Sequence, residues 1–123
     1  MLFRSAKLAT VSVHLEKNDK YTEYPEDAGD ISRVFILSVQ ELISYLGEDG
    51  LKAEPTAYVL GREGFSLNIP AKDGGASYWT RNYGRNYKFA GVINWAGEYD
   101  VYGAFWWTSS CRGIRPAAWV TVG

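Results

Sequence analysis

The chain has 123 residues, 46% of them hydrophobic and 22% charged, which suits one folded domain over residues 1–123 and excludes a disordered chain or two domains. The formal net charge is −1, so no overall charge attracts the protein to nucleic acid or to an anionic membrane. The single cysteine, Cys111, excludes an intrachain disulfide, and no apolar run has the length of a signal peptide or a membrane helix. These features leave the compartment unknown, and we expect a cytoplasmic protein unless the chain is part of a longer exported one.

Two short strands are predicted in the N-terminal half. Residues 8–15 predict the first, because their apolar side chains alternate strictly from 11 to 15, as on a half-buried strand. Residues 34–37 are a continuous apolar run, which is typical of a buried strand. The polar stretch between them, residues 17–30, predicts a loop.

A capping box formed by Ser38 and Glu41 is the strongest local signal. The Ser38 hydroxyl can accept a hydrogen bond from the Glu41 amide, while the Glu41 carboxylate accepts one from the Ser38 amide. This spacing predicts a helix that runs to about Leu46, with Gly47 able to adopt the left-handed C′ conformation. Residues 48–61 predict a second, short helical stretch. The first helix would carry an apolar stripe made of Val39, Leu42, Ile43 and Leu46.

The C-terminal half is irregular and rich in aromatic residues. Residues 90–94 and 99–102 predict two strands of a hairpin, joined by a turn at residues 96–97. Residues 106–109 and 118–122 predict two further short strands. Within residues 78–107 lie eleven rings, namely Tyr78, Trp79, Tyr83, Tyr87, Phe89, Trp95, Tyr99, Tyr102, Phe105, Trp106 and Trp107.

Five motifs in a fixed order resemble a bacterial, Firmicutes-type domain family of unknown function. In this chain they are Arg33-Val34-Phe35-Ile36-Leu37-Ser38 with Glu41 and Tyr45, Pro55-Thr56-Ala57-Tyr58, Tyr78-Trp79-Thr80-Arg81, Gly91-Val92-Ile93-Asn94 with Gly97, and Gly113-Ile114-Arg115-Pro116-Ala117 with Trp119. The resemblance covers roughly residues 8–122 and implies a C-type-lectin-like fold, shared with formylglycine-generating-enzyme relatives and the variable proteins of diversity-generating retroelements. The implied fold class is α+β, with short helices packed on a small irregular antiparallel sheet.

This chain departs from the family pattern in two places. The family usually has an upstream strand and one or two helices, so we expect a shortened or partial domain whose uncovered surface favours self-association. The family segment W-L-R-S-P-G is replaced by Trp79-Thr80-Arg81-Asn82-Tyr83-Gly84, so the loop after Arg81 is particular to this chain.

Several residues are expected to be structural. Arg81 and Arg115 match arginines of the family, and their five donors suit a clamp on carbonyls and carboxylates. Ser38 and Glu41 are assigned to the helix cap. The expected core residues are Trp79, Val92, Trp107 and Trp119.

Ten aromatic, amide and arginine side chains of the C-terminal half are the candidates for an exposed binding face. Tyr and Trp combine a stiff apolar body with a polar tip, and a mixture with Asn and Arg resembles the composition of a paratope. Packing of the same rings in a core is the alternative. The candidates are Asn82, Tyr83, Arg85, Tyr87, Asn94, Trp95, Tyr99, Tyr102, Phe105 and Trp106.

Catalytic and metal chemistry have little support in the sequence. His14 is the only histidine, and its pairing with Cys111 as a nucleophile would be a matter of chance. No calcium-binding motif of the lectins is present, so we predict no metal, no cofactor and no enzymatic activity. Arg81, Arg85 and Lys88 among tyrosines could stack on single-stranded nucleic acid, but a chain of net charge −1 does not favour this.

The predicted function is therefore non-catalytic binding of a protein or glycan. The charge is uneven, because residues 1–60 hold six Lys and Arg against ten Asp and Glu, net −4, and residues 61–123 hold seven against four, net +3. The mildly basic, aromatic half is the expected binding half.

One alternative is a variable protein of a diversity-generating retroelement, which a nearby template repeat and reverse transcriptase gene would reveal. The other is a structural accessory domain of a larger surface protein.

Overall fold

A computed structural model describes residues 6–17, 20, 29–56, 71–86, 88–105 and 112–122. These residues form mixed α+β structure, with eleven short strands, one α-helix and one 3₁₀ turn. The strands are β1 (Ala6–Leu8), β2 (Val11–Val13), β3 (Asp30–Ser32), β4 (Phe35–Ile36), β5 (Ala71–Lys72), β6 (Gly75–Ala76), β7 (Tyr78–Tyr83), β8 (Phe89–Ile93), β9 (Tyr99–Phe105), β10 (Pro116–Ala117) and β11 (Val120–Val122). The helix is α1 (Val39–Leu46), and the 3₁₀ turn spans Glu48–Gly50.

The strands form small antiparallel sheets. The largest has three strands in the order β7-β8-β9, and four two-stranded sheets pair β1 with β11, β2 with β3, β4 with β10 and β5 with β6. The pairs β1–β11 and β4–β10 connect the N-terminal part of the described chain to its C-terminal part. The predicted hairpin of β8 and β9 is confirmed, with Ile93 opposite Tyr99.

Helix α1 begins at the predicted capping box. The Glu41 amide donates to Ser38 Oγ at 3.2 Å, and the Ser38 amide donates to Glu41 Oε1 at 3.1 Å. The helix ends at Leu46, and Gly47 follows with a φ of 73°. The predicted helix and its cap are thus confirmed, whereas Gly47 does not adopt the left-handed conformation, because its ψ is 169°. The predicted apolar stripe is only half buried, because Val39 and Leu42 are buried whereas Ile43 and Leu46 are exposed.

The core lies between α1 and the three-stranded sheet. Val39 and Leu42 of the helix pack with Leu51, with Tyr78 of β7 and with Ile93 of β8. Full burial of an aliphatic side chain contributes about 1.5–3 kcal/mol relative to its exposure. Since Leu42 and Ile93 are at most 1% exposed, this contact holds the helix against the sheet.

Several predicted elements are shorter than expected. Residues 8–15 do not form one strand, because the chain leaves β1 at Ala9, whose amide donates to Trp119 O, and a new strand begins at Val11. The strand predicted over 34–37 is reduced to β4, with Val34 exposed. The second helical stretch is reduced to the 3₁₀ turn, and residues 51–56 are not helical.

Three other predictions fall wholly or partly outside the described residues. Most of the loop predicted over 17–30 and the whole strand predicted over 106–109 lie there, as do residues 57–61 of the second helical stretch. The strand predicted over 118–122 is present in its last three residues as β11.

Both outer strands of the three-stranded sheet bulge opposite Gly91. Trp79 and Tyr83 of β7 pair with Val92 and Ala90 of β8, so four steps along β7 match two steps along β8. Ala104 and Asp100 of β9 pair with the same two residues, so four steps along β9 also match two steps along β8. A Cβ on Gly91 would lie 2.9 Å from the Tyr99 ring and 3.2 Å from Thr80 Oγ1, so the bulged strands leave no room for one. These bulges determine where the candidate site residues point.

Candidate functional site

Asn82 of β7 contacts the first turn of helix α1. Asn82 is fully buried, its Oδ1 accepts from the Val39 amide at 2.8 Å, and its Nδ2 donates to Gln40 Oε1 at 3.0 Å. Tyr83 is 7% exposed. The expected exposure of Asn82 and Tyr83 is therefore wrong, because both are buried, Asn82 against the first turn of α1.

Arg81 joins three parts of the chain. Its Nε donates to His14 O at 2.6 Å, its Nη1 donates to Ile36 O at 2.7 Å, and its Nη2 donates to Glu41 Oε1. Glu41 thereby serves both the helix cap and an ion pair with Arg81. These contacts are those of a structural clamp, as expected for a planar guanidinium with five donors.

The bulge in β9 determines the position of Tyr102. Gly103 adopts a φ of +84°, and a Cβ there would lie 2.3 Å from Ala90 O, so the position requires glycine. Asp100 Oδ1 accepts from the amides of Tyr102 and Gly103 at 3.1 and 3.3 Å, which stabilises the bulge. As a result Tyr102 O accepts from the Arg85 amide at 2.9 Å, and the β9 bulge is joined to the β7–β8 connection.

Arg85, Phe89 and Tyr102 form a compact group that we call the Arg85 cluster. The Arg85 guanidinium carbon lies 4.2 Å from the Phe89 ring centroid and 4.6 Å from the Tyr102 centroid. The two rings meet edge to face at 5.7 Å, and Arg85 Nη1 donates to the Tyr102 hydroxyl. Arg85 and Tyr102 are exposed, with 44% of Tyr102 accessible. The cluster is thus a cation held on two rings at the surface.

Asn94, Trp95 and Tyr99 lie at the other end of β8. Asn94 Oδ1 accepts from the amides of Ala96 and Glu98 at 3.0 and 2.9 Å, so this side chain builds the β8–β9 turn. Lys72 Nζ lies 5.2 Å from the Trp95 ring centroid, and Tyr99 packs against the core.

Strand β8 separates this turn from the Arg85 cluster. Its five residues, Phe89–Ile93, span roughly 13 Å at about 3.3 Å per step. The predicted single face is therefore divided into two groups, of which the Arg85 cluster is the more exposed.

The other predicted site residues divide between exposed, buried and undescribed positions. Tyr87, Trp106 and Trp107 lie outside the described residues, as does the side chain of Phe105. Of the expected core residues, Val92 is 2% exposed and Trp79 is partly buried. Trp119 is 49% exposed and meets Tyr45 edge to face at 5.5 Å, so its assignment to the core is wrong.

Arg115 contacts a buried tyrosine that sequence reasoning did not assign to any site. Arg115 Nη1 donates to Gly50 O at 2.8 Å and to the Tyr78 hydroxyl at 3.1 Å, and Tyr78 in turn donates to Leu51 O. Burial raises the pKa of Tyr78, while the hydrogen bond and charge of Arg115 act in the opposite direction. Phe89 was also missed as a site residue. No local signal pairs Phe89 with Arg85 or Tyr78 with Arg115, because the pairing depends on the tertiary structure.

Two features are absent from the described part of the chain. It contains no group of three or more His, Cys, Asp and Glu side chains arranged to hold a metal ion. Among the same residues, no helix has both the length and the apolar character to cross a membrane.

No protein-family model matches this chain, and comparisons with curated proteins and with solved structures found no match. The lectin-like family therefore stays a prediction, and the functional argument depends on the geometry of the chain itself.

Proposed function

We propose that this protein is a non-catalytic binding domain of C-type-lectin-like fold that recognises a protein or a glycan through the Arg85 cluster. The observation that carries the proposal is an exposed arginine, Arg85, whose guanidinium lies close to the rings of both Phe89 and Tyr102. The lectin-like part of the proposal is supported by the sequence motifs and by the packing of α1 on a small, irregular sheet from the C-terminal half.

The Arg85 cluster is suited to binding because its side chains are already ordered. An arginine free in solvent loses about 1.5–2 kcal/mol of rotamer freedom when a ligand fixes it. Arg85 is instead held by its own backbone bond to Tyr102 O and by its contacts with the two rings. A ligand that meets Arg85 therefore avoids much of this entropy cost.

The chemistry of the cluster favours a ligand with an acidic group beside an apolar or sugar surface. A guanidinium binds a carboxylate through parallel hydrogen bonds, and the exposed Lys88 in the same β7–β8 connection adds positive charge. The accessible parts of the Phe89 and Tyr102 rings provide apolar contact area around the charge. We therefore expect an acidic glycan or an acidic segment of a protein as the ligand.

Glycan and protein-partner arrays test the proposal when wild type is compared with single variants. Arg85→Ala should lose binding, and Arg85→Lys should recover little of it because an ammonium lacks the planar fork. Tyr102→Ala should also weaken binding. Lys7→Ala is the matched control, since it removes an exposed charge on β1, outside the cluster, and should bind as wild type does.

Thermal unfolding distinguishes binding from packing. Arg85 and Tyr102 are exposed, so their variants should keep the melting temperature of the wild type within a few degrees. A large drop in melting temperature, or unchanged binding by Arg85→Ala, would overturn the proposal.

A further inference from the structure

A cleft with a volume of 330 Å³ lies away from the Arg85 cluster. Residues 52–56 and 113–116 form its walls, and residues 76–78 form its floor. Its volume is at the lower end of the range for small-molecule sites, about 300–1,000 Å³. The cleft thus has room for one small molecule and not for a protein segment of several residues.

Hydrogen bonds between backbone groups hold both walls to the floor. The Ala76 amide donates to Ala53 O at 2.9 Å on one side. On the other side the Gly113 amide donates to Ser77 O at 2.9 Å, and the Trp79 amide donates to Gly113 O at 3.0 Å. The cleft is consequently a built feature of the fold, with walls at a fixed separation.

Arg115 is held in place at the cleft by only one of its three guanidinium nitrogens. Its Nη1 makes the bonds to Gly50 O and to the Tyr78 hydroxyl, and its guanidinium carbon lies 5.5 Å from the Tyr78 ring centroid. Among the described residues, its Nε and Nη2 have no hydrogen-bond partner. A guanidinium fixed in this way can offer those N–H groups to a carboxylate with little further loss of freedom.

The other side chains of the cleft indicate the kind of ligand. Lys52 adds a second positive charge and is tethered by a 2.7 Å bond from its Nζ to Asp73 O, whereas Glu54 is the one acidic side chain among the lining residues. The walls also carry Pro55 and Ile114, and the latter is 71% exposed. Two positive charges and one negative charge in the cleft favour a ligand with an anionic group. The aliphatic side chains of Pro55 and Ile114 favour a ligand that also has an apolar body.

We propose that this cleft is a binding site for a small organic carboxylate with an apolar body, whose carboxylate meets Arg115 and Lys52 while its body lies against Ile114. The site is independent of the Arg85 cluster, because no residue of the cluster lines the cleft. Either proposal can therefore fail without the other.

Titration with benzoate, followed by the amide resonances in NMR spectra, tests the site directly. Benzoate should cause saturable shifts at Ala53, Ser77 and Ile114, and none at Phe89 or elsewhere in the Arg85 cluster. Benzamide has the same shape without the charge and should bind at least about threefold more weakly, as the loss of a charged hydrogen bond requires. No shift in the millimolar range, shifts centred elsewhere, or equal binding of benzamide would overturn the proposal.

Charge variants of exposed wall residues test the recognition without disturbing the fold. Lys52→Met should raise the benzoate dissociation constant roughly two- to fivefold, the size expected for an exposed charge pair. Glu54→Gln should lower the benzoate dissociation constant by a similar factor, because the substitution removes a charge that repels the carboxylate. Lys7→Met, which removes an exposed lysine of β1 outside the cleft, should leave the dissociation constant unchanged. If Lys52→Met and Glu54→Gln both bind as wild type does, benzoate is not bound by the charges of this cleft and the proposal is wrong.

Discussion

Asn82 Oδ1 accepts a hydrogen bond from the backbone amide of Val39 at 2.8 Å, so a strand residue satisfies a donor in the first turn of a helix 43 positions earlier. The first four amides of a helix lack partners within it, and Ser38 satisfies that of Glu41 while Asn82 satisfies that of Val39. Strand β7 thus supplies one of the acceptors at the N-terminus of α1. This explains why Asn82 is buried rather than available to a ligand.

Replacement of Asn82 should therefore destabilise the fold. Asn82→Ala leaves the buried Val39 amide without an acceptor, and we expect the free energy of unfolding to fall by about 1–3 kcal/mol. Gln40→Ala removes only the exposed partner of Asn82 Nδ2 and should have a smaller effect. Urea denaturation monitored by tryptophan fluorescence gives both values. Equal stability of Asn82→Ala and wild type would show that the contact contributes nothing.

Arg81 should be the second position of high sensitivity, because it contacts three segments at once. The Arg81 and Glu41 side chains are 11% and 23% exposed, so their ion pair is largely shielded from water. Arg81→Met should lower the free energy of unfolding by about 2 kcal/mol or more, the scale of charged hydrogen bonds. Arg81→Lys should restore little, since one ammonium cannot reach Glu41, Ile36 O and His14 O in the same geometry.

A double-mutant cycle with Glu41→Gln isolates the Arg81–Glu41 pair from the two carbonyl contacts. We expect a coupling energy between about 0.5 and 3 kcal/mol for groups in direct contact. Arg33→Met is the control, because Arg33 is exposed and its Nε has only a 3.5 Å contact with Thr10. Additive effects of Arg81→Met and Glu41→Gln would contradict the clamp.

The sequence predicts those parts of the fold that depend on residues only a few positions apart. The capping box needs only residues three positions apart, and the β8–β9 hairpin only a glycine turn between two apolar strands. The bulges opposite Gly91 could not be predicted in this way. In the folded sheet, side-chain atoms of Tyr99 and Thr80 on the neighbouring strands approach Gly91, and these contacts depend on the tertiary structure.

The candidate site was predicted only in part for the same reason. Arg85 and Tyr102 were recognised as candidates from composition, but their contact requires the bulge in β9 and their third partner is Phe89. Arg115 and Tyr78 are 37 positions apart, and no local pattern joins them into a cleft. Composition thus indicates which residue types suit binding, and the register of the sheet decides which of them meet.

Gly103 offers a test of the bulge that positions Tyr102. Gly103→Ala combines an unfavourable positive φ with a Cβ only 2.3 Å from Ala90 O, so the backbone must shift. We expect a loss of stability well above the roughly 1–2 kcal/mol of strain that a left-handed alanine costs. NMR should also show that the Arg85–Tyr102 contact is disturbed.

Gly74 provides a matched control for Gly103. It has a φ of +81°, but a Cβ there would meet no atom within 4 Å. Gly74→Ala should therefore cost only the backbone strain and leave the Arg85 cluster intact. If Gly74→Ala and Gly103→Ala reduce the free energy of unfolding equally, the close approach to Ala90 is not what requires glycine at 103.

Tyr78 should make stability depend on alkaline pH. Burial raises its pKa above the usual value of 10.0, although the hydrogen bond and charge of Arg115 partly oppose this rise. Because the folded-state pKa is the higher one, the unfolded chain releases the proton first as pH increases. The contribution of Tyr78 is thus complete below about pH 10 and is lost as pH rises through the folded-state pKa.

Urea denaturation of wild type and Tyr78→Phe as a function of pH checks this dependence. Phenylalanine has no proton to release, so the stability advantage of wild type over Tyr78→Phe should shrink above about pH 10. Arg115→Met removes the group that lowers the pKa of Tyr78, and ultraviolet difference titration should show the hydroxyl ionising at a still higher pH. A wild-type advantage that stays constant through this range, or a lower pKa of Tyr78 in Arg115→Met, would mean that the hydroxyl is not held neutral by burial beside Arg115.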